Sequence, residues 1–363
     1  MNKLILSLLI IAVLYPVMIY ADTITLTDTE RICQRNYPVT VSGTYEGTPT
    51  SIQARIVLYG TSTQIVAWTT IDATPTGGAF AGTLDVPAGT YQGAPCWYSV
   101  QVRYSNDTGV YDNGSEKIGV GMLWVLAGQS NGEGMFYRSS TPPTPSEYSL
   151  MYDNHLVGFW VTGSEGWKSV TGNGAIKLAN NLVTRYKMPV GILAYAVGVS
   201  AIYDHNSRVY WTNTADDSLY DDCIDGISEC GGKIEGVIYW QGEAEAVDGV
   251  PSQWANYIGT VISNFRSATG QTLLPFIINR LGPQDGYTTA ENWSIVQAAQ
   301  VSSENVSNHI YCQSTTDDYS LIDTVHITAA SHESNSDRLS SLIYTIIPIT
   351  STGSGYSVGA SWH

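Results

Sequence analysis

Three short segments carry side chains able to do chemistry together, and they come in one order. Gly128-Gln129-Ser130-Asn131 supplies a hydroxyl, and Gln241-Gly242-Glu243 supplies a carboxamide and a carboxylate. Asp323-Thr324-Val325-His326 supplies an imidazole with an acid three residues before it. A hydroxyl, a base to activate it, an acid to hold the base and polar groups for a developing negative charge are the parts needed for covalent acyl transfer. Ser130 is then the nucleophile and His326 the general base. Asp323 fixes the imidazole tautomer and stabilises the imidazolium. The oxyanion donors expected from sequence are the Ser130 N–H, a backbone N–H of the turn Gly198-Val199-Ser200-Ala201, and the Gln241 carboxamide. Asn131 and Glu243 are expected to brace the site rather than react.

Each segment also has a plainer reading. A serine after a strand often caps a helix. Asp323 can cap one too, Gly198 can be an ordinary strand-end turn, and Gln241 can tie a strand end to a loop. His155, His205, His309, His332 and His363 lack so placed a carboxylate and read as surface or structural.

The elements that must position these groups are legible in the pattern. Apolar runs at 122–127, 190–196, 234–240, 272–279 and 308–313 read as strands. Helical stretches fall between and after them, at 251–267, 291–303 and 328–345. In the first, Pro251 can start the helix and Trp254, Tyr257, Ile258, Val261, Ile262 and Phe265 recur at helical spacing. Alternating strands and helices predict a parallel sheet with helices on both faces and function at the carboxyl ends of the strands. Residues 22–117 differ. Ile52–Leu58 and Tyr98–Tyr104 alternate apolar and polar between Gly, Pro, Thr and Asn punctuation, which predicts a small antiparallel sandwich of immunoglobulin-like form. Its expected role is a spacer, with glycan binding as the alternative. The boundary is expected near Asn113-Gly114-Ser115, the second domain at 118–350, and a flexible Gly/Ser-rich tail at 351–363.

On these residues the chain resembles a known family. Leu123-Trp124-Val125-Leu126-Ala127-Gly128-Gln129-Ser130-Asn131 is similar to the nucleophile block of the SGNH hydrolases, in their sialate O-acetylesterase and acetylxylan esterase branch. Val237-Ile238-Tyr239-Trp240-Gln241-Gly242-Glu243 resembles that branch's Trp-Gln-Gly-Glu block, and Asp323-Thr324-Val325-His326-Ile327-Thr328 its Asp-x-x-His block. The resemblance covers about 118–347. It implies a three-layer α/β/α, flavodoxin-like hydrolase domain, a Ser130-His326-Asp323 triad, an oxyanion hole from the Ser130 N–H, the Gly198 N–H and the Gln241 side chain, and no metal or other cofactor. The implied activity is release of acetyl groups from glycans. A structural or glycan-binding surface protein that keeps the hydrolase fold is the other reading. Glu245 stands where the family usually has Asp.

Composition narrows the partners. Lysine plus arginine is 16 against 32 acids, a net charge of −16, which argues against nucleic acid or anionic membranes. An acetylated carbohydrate remains the expected substrate. The chain holds 24 Tyr and 10 Trp, which suit sugar rings and β-rich cores equally. Residues 1–21 carry Lys3, an apolar run broken by Pro16, and Ala21, which reads as a secretory signal peptide; a membrane anchor is the alternative. A secreted or cell-surface protein with no membrane contact after cleavage is expected. Asn106, Asn113, Asn292 and Asn305 head glycosylation motifs. A Cys33–Cys96 disulfide is expected across the β-rich segment. Cys223 and Cys230 are too far apart to bond on one continuous helix. The acidic stretch Asp216 to Glu229 fails the calcium-loop pattern, because Cys223 takes the middle ligand place, and reads as a solvated face.

Overall fold

The structure is a computed structural model that describes residues 22–137, 139, 141–153, 166–352 and 355–358. The expected signal peptide, His155 and His363 lie outside the described residues. Every element named between Thr23 and Asn113 is a strand. Ile52–Leu58 pairs antiparallel with Tyr98–Tyr104, setting Ala54 against Val102 and Ile56 against Val100. All four are buried. A period of two thus sends the apolar residues to one face.

From Ile118 onward the chain is α/β. One sheet runs in the order Gly166–Ser169, Ser149–Asp153, Val190–Ala194, Ile118–Gly128, Gly236–Trp240, Phe276–Asn279, Ile310–Gln313. All neighbours in it are parallel except Gly166–Ser169 with Ser149–Asp153. Ile118–Gly128 enters first and later strands add on both sides of it. The connections therefore diverge at its carboxyl end, where sheets of this kind open a crevice. Helices Asn173–Tyr186, Ser252–Thr269, Ala290–Ser302 and Ala329–Ile346 cover the sheet, their buried residues joining one apolar cluster.

Ile118–Gly128 is buried along all eleven residues and serves both halves of the chain. Its first four residues pair in parallel with Arg31–Gln34. From Met122 it lies between Val190–Ala194 and Gly236–Trp240. Ile118 and Val120 belong to the N-terminal apolar cluster and Met122 onward to the larger one. The two halves thus share a strand rather than meeting at a linker. A buried ion pair adds to the join. Arg35 donates to Glu235 through Nε at 2.9 Å and Nη2 at 2.5 Å, and Gln34 Nε2 donates to the same carboxylate at 2.6 Å.

One expectation needs correction. The cysteines Cys33, Cys96, Cys223, Cys230 and Cys312 are all free thiols, so the Cys33–Cys96 bond is not formed. Cys33 sits in strand register beside Val120, while Cys96 is tied by its N–H to the Gly89 carbonyl. The helix Leu219–Glu229 runs unbroken from Cys223 almost to Cys230, so the turn that pairing those two would need is missing. Beyond the last helix, Ile349–Thr352 and Gly355–Val358 pair antiparallel. Asn106, Asn113 and Asn305 are exposed, whereas the Asn292 amide donates to the Ala246 carbonyl at 3.2 Å. No helix among the described residues is long and apolar enough to cross a membrane.

Candidate active site

Ser130 stands two residues beyond the end of the central strand. Gly128 makes the exit with a φ of +117°, and a Cβ there would lie 2.0 Å from the Trp240 carbonyl oxygen. Only glycine fits that approach. The Gln129 N–H then donates to Trp240 O at 2.7 Å, and Ser130 opens the short helix Ser130–Gly134. The first amides of a helix have no acceptor within it, so the Ser130 N–H is a donor beside its own hydroxyl.

His326 lies on the loop before helix Ala329–Ile346. Its Nδ1 is 2.7 Å from Asp323 Oδ2, and Asp323 Oδ1 accepts the N–H groups of Val325 and His326, each at 2.8 Å. Burial pushes the Asp323 carboxyl up, but these N–H groups and the imidazole together outweigh it and hold the group below its usual range. The acid is therefore ionised when the imidazole needs it. With Nδ1 committed to Asp323, Nε2 is left as the working nitrogen.

Asn131 brings the two segments together. Its Nδ2 donates to the Val325 carbonyl at 3.2 Å, and its Oδ1 accepts from the Ile327 N–H at 3.2 Å. The residue after the nucleophile thus grips the chain on both sides of His326. The same Nδ2 donates to Glu243 Oε1 at 2.8 Å. Glu243 is fully buried and opens the helix Glu243–Val247. Its burial, eased by the Asn131 hydrogen bond and nearby His326, raises its carboxyl from 4.5 to about 7.

Two of the expected oxyanion donors already have acceptors within the protein. The Gly198 N–H donates to the buried carboxylate of Glu133 at 2.8 Å. The Gln241 amide is spent on Gln129 Oε1 at 2.6 Å, Ser200 O at 3.0 Å and Glu245 Oε2 at 3.2 Å. Gln241 therefore ties the strand end to the neighbouring loops, as its plainer reading allowed. An amide has two hydrogens, and both have acceptors here.

Sequence reasoning missed Gln129 and Glu133 as site builders. Gln129 Oε1 also accepts from the Ala244 N–H at 3.1 Å and so joins the nucleophile turn to helix Glu243–Val247. Glu133 was legible as an acid in the first turn of a helix, but the Gly198 N–H it takes comes from 65 residues away. Glu245, fully buried, braces the same loop by accepting from the Ile202 N–H at 2.7 Å. His332 is buried against Trp240 and held down to about 3, so it stays neutral. His205 and His309 have other partners. His205 faces Asp248 and His309 faces Tyr311. Among the described residues no group of three His, Cys, Asp or Glu side chains is placed to hold a metal ion.

The family model described as "carbohydrate esterase, sialic acid-specific acetylesterase" matches residues 120–345. Among solved structures, a carbohydrate acetylesterase from Xanthomonas citri superposes with a TM-score of 0.62 at 20% identity, covering 90% of this chain and 75% of its own. An Arabidopsis thaliana protein matches with a TM-score of 0.48 at 17% identity, covering 62% of this chain and 98% of its own. At 20% identity the likeness to the Xanthomonas citri protein is one of fold. No curated protein matches the chain. The matched span holds Ser130, Asn131, Glu243, Asp323 and His326. The chain belongs to the carbohydrate esterase, sialic acid-specific acetylesterase family.

Proposed function

We propose that this protein is a secreted carbohydrate O-acetylesterase working through an acyl-enzyme. Ser130 Oγ attacks the acetyl carbonyl carbon and passes its proton to His326 Nε2. The tetrahedral intermediate carries its negative charge against the Ser130 N–H. It collapses as His326 returns the proton to the departing sugar oxygen. Water, deprotonated by His326, then attacks acetyl-Ser130. Acetate leaves and the serine regains its hydrogen. In the same reading residues 1–21 are removed on export.

The observation that carries this is the Asn131 clamp. It holds the His326–Asp323 pair, at 2.7 Å, against the residue that follows Ser130. A neighbour of the nucleophile gripping both sides of a base has a catalytic logic that a bare scaffold does not need. The test is acetate release by purified protein from a panel of acetylated glycans and an aryl acetate. Turnover on a glycan supports the reading. No turnover on any of them favours a glycan-binding or structural protein that keeps the fold.

A further inference from the structure

The turn Val197–Ser200 packs against the nucleophile strand. The Val197 N–H and the Ser200 hydroxyl both donate to the Gly128 carbonyl, at 2.9 and 3.1 Å, two residues before Ser130. The Ser200 N–H closes the turn on Val197 O at 3.3 Å. Its third residue is Val199, with a φ of +58°. That position favours glycine or asparagine, and a β-branched residue in it is strained. Val199 is 62% exposed, so side-chain burial does not offset the strain.

Contacts from elsewhere hold this conformation. Arg208 Nη1 donates to the Val199 carbonyl at 3.0 Å. Arg208 is itself gripped by Asp248, from Nε at 2.7 Å and Nη2 at 3.0 Å. Asp248 also lies 2.9 Å from His205 Nε2. Beyond the turn, Glu245 holds the Ile202 N–H. The amide before Val199, that of Gly198, is already taken by Glu133. In a turn closed from its fourth residue to its first, the third N–H takes no part in the closure. Strained backbone clamped in this way persists where a site makes use of it.

We propose that the Val199 N–H, and not that of Gly198, joins the Ser130 N–H in holding the oxyanion, with Arg208 as the residue that positions it. The proposal rests on the acyl-enzyme reading above. A donor fixed before the reaction needs no reorganisation as charge develops, and loss of one such donor costs about 10²- to 10³-fold in kcat. Arg208 acts through the carbonyl of the residue whose N–H does the work, so removing it should cost less than removing the donor.

The test uses the full-length protein with ¹⁵N-labelled valine and an aryl phosphonate. The reagent bonds its phosphorus to Ser130 Oγ, expels the aryloxide and leaves a tetrahedral phosphonyl oxygen where the oxyanion would sit. A Val199→Ile variant assigns the resonance. The expected result is a downfield move and slowed hydrogen exchange of the Val199 amide on adduct formation. Arg208→Met should weaken that move and lower kcat by roughly 10-fold or more, with KM nearly unchanged and the protein still folded. An adduct that leaves the Val199 amide unmoved overturns this proposal alone. An Arg208→Met loss of kcat that only tracks the unfolded fraction also overturns it. Failure of Ser130 to form any adduct overturns the acyl-enzyme reading and this proposal with it.

Discussion

Asn131 and Glu243 share a buried hydrogen bond of 2.8 Å, and through it the nucleophile helix, the helix Glu243–Val247 and the histidine loop become one unit. The Asn131 amide also reaches the Val325 carbonyl and the Ile327 N–H. Asn131→Ala should therefore move His326 relative to Ser130. The expected effect is a fall in kcat of roughly 10- to 100-fold, because small misplacements of a base are costly, with the melting midpoint lowered as well. Steady-state kinetics and a thermal melt on the same variant check this. An unchanged kcat would mean that the histidine loop holds itself.

Glu243 should make stability depend on pH. Its carboxyl is raised from 4.5 to about 7 by burial. The folded state therefore binds a proton that the unfolded state has released between those values. Stability from this group is full below about 4.5 and is lost as pH rises through about 7. The loss amounts to roughly 3 kcal/mol at most. Glu243→Gln keeps an oxygen for Asn131 and cannot ionise. Melting midpoints of wild type and variant, compared from pH 4 to 8, should separate as pH rises, with the wild type falling faster. Parallel curves would show that Glu243 titrates alike in the folded and unfolded chain and that burial does not raise its carboxyl.

Asp323→Asn should leave the protein folded and nearly inactive. The pair it forms with His326 is about half exposed, and such pairs add little stability. Its work is to hold the tautomer, and loss of that function in a triad costs about 10⁴-fold in kcat. Acetate release and a thermal melt test both halves of the statement. A large drop in melting midpoint with activity kept would reverse the assignment.

The shared strand predicts that the N-terminal half is not a detachable spacer. Glu235→Ala leaves Arg35 buried without its partner, at 2% exposure. Breaking a buried pair in this way costs about 3–5 kcal/mol. The Arg35→Met, Glu235→Met double variant removes both charges and should recover much of that loss. Denaturant unfolding of the three proteins measures it. Equal stability of all three would show that the ion pair does not join the halves.

The parts of the fold that were legible in sequence are those whose pattern is local. Helix Ser252–Thr269 shows because Trp254, Ile258, Val261, Ile262 and Phe265 recur on the face it buries. The strands show because they are short apolar runs. Helix Leu219–Glu229 was hidden in what read as an acidic run. Its buried Leu219, Tyr220, Cys223 and Ile227 carry the helical spacing beneath Asp221, Asp222 and Asp225. In the site, the residue types were readable and the donor assignments were not. Which acceptor Gly198 or Gln241 finds depends on Glu133 and Gln129, and those partners are set by tertiary packing. The shared strand escaped for a similar reason. The run read at 122–127 extends back to Ile118, and an apolar run looks the same whether its partners come from one domain or two.

The most direct test of the account is the Ser130→Ala variant. Acetate release from an acetylated glycan that the wild type deacetylates should fall by about 10³-fold or more, with an unchanged melting midpoint, because no other group can form the acyl-enzyme. A folded variant that keeps more than about a hundredth of the wild-type turnover would contradict Ser130 as the nucleophile.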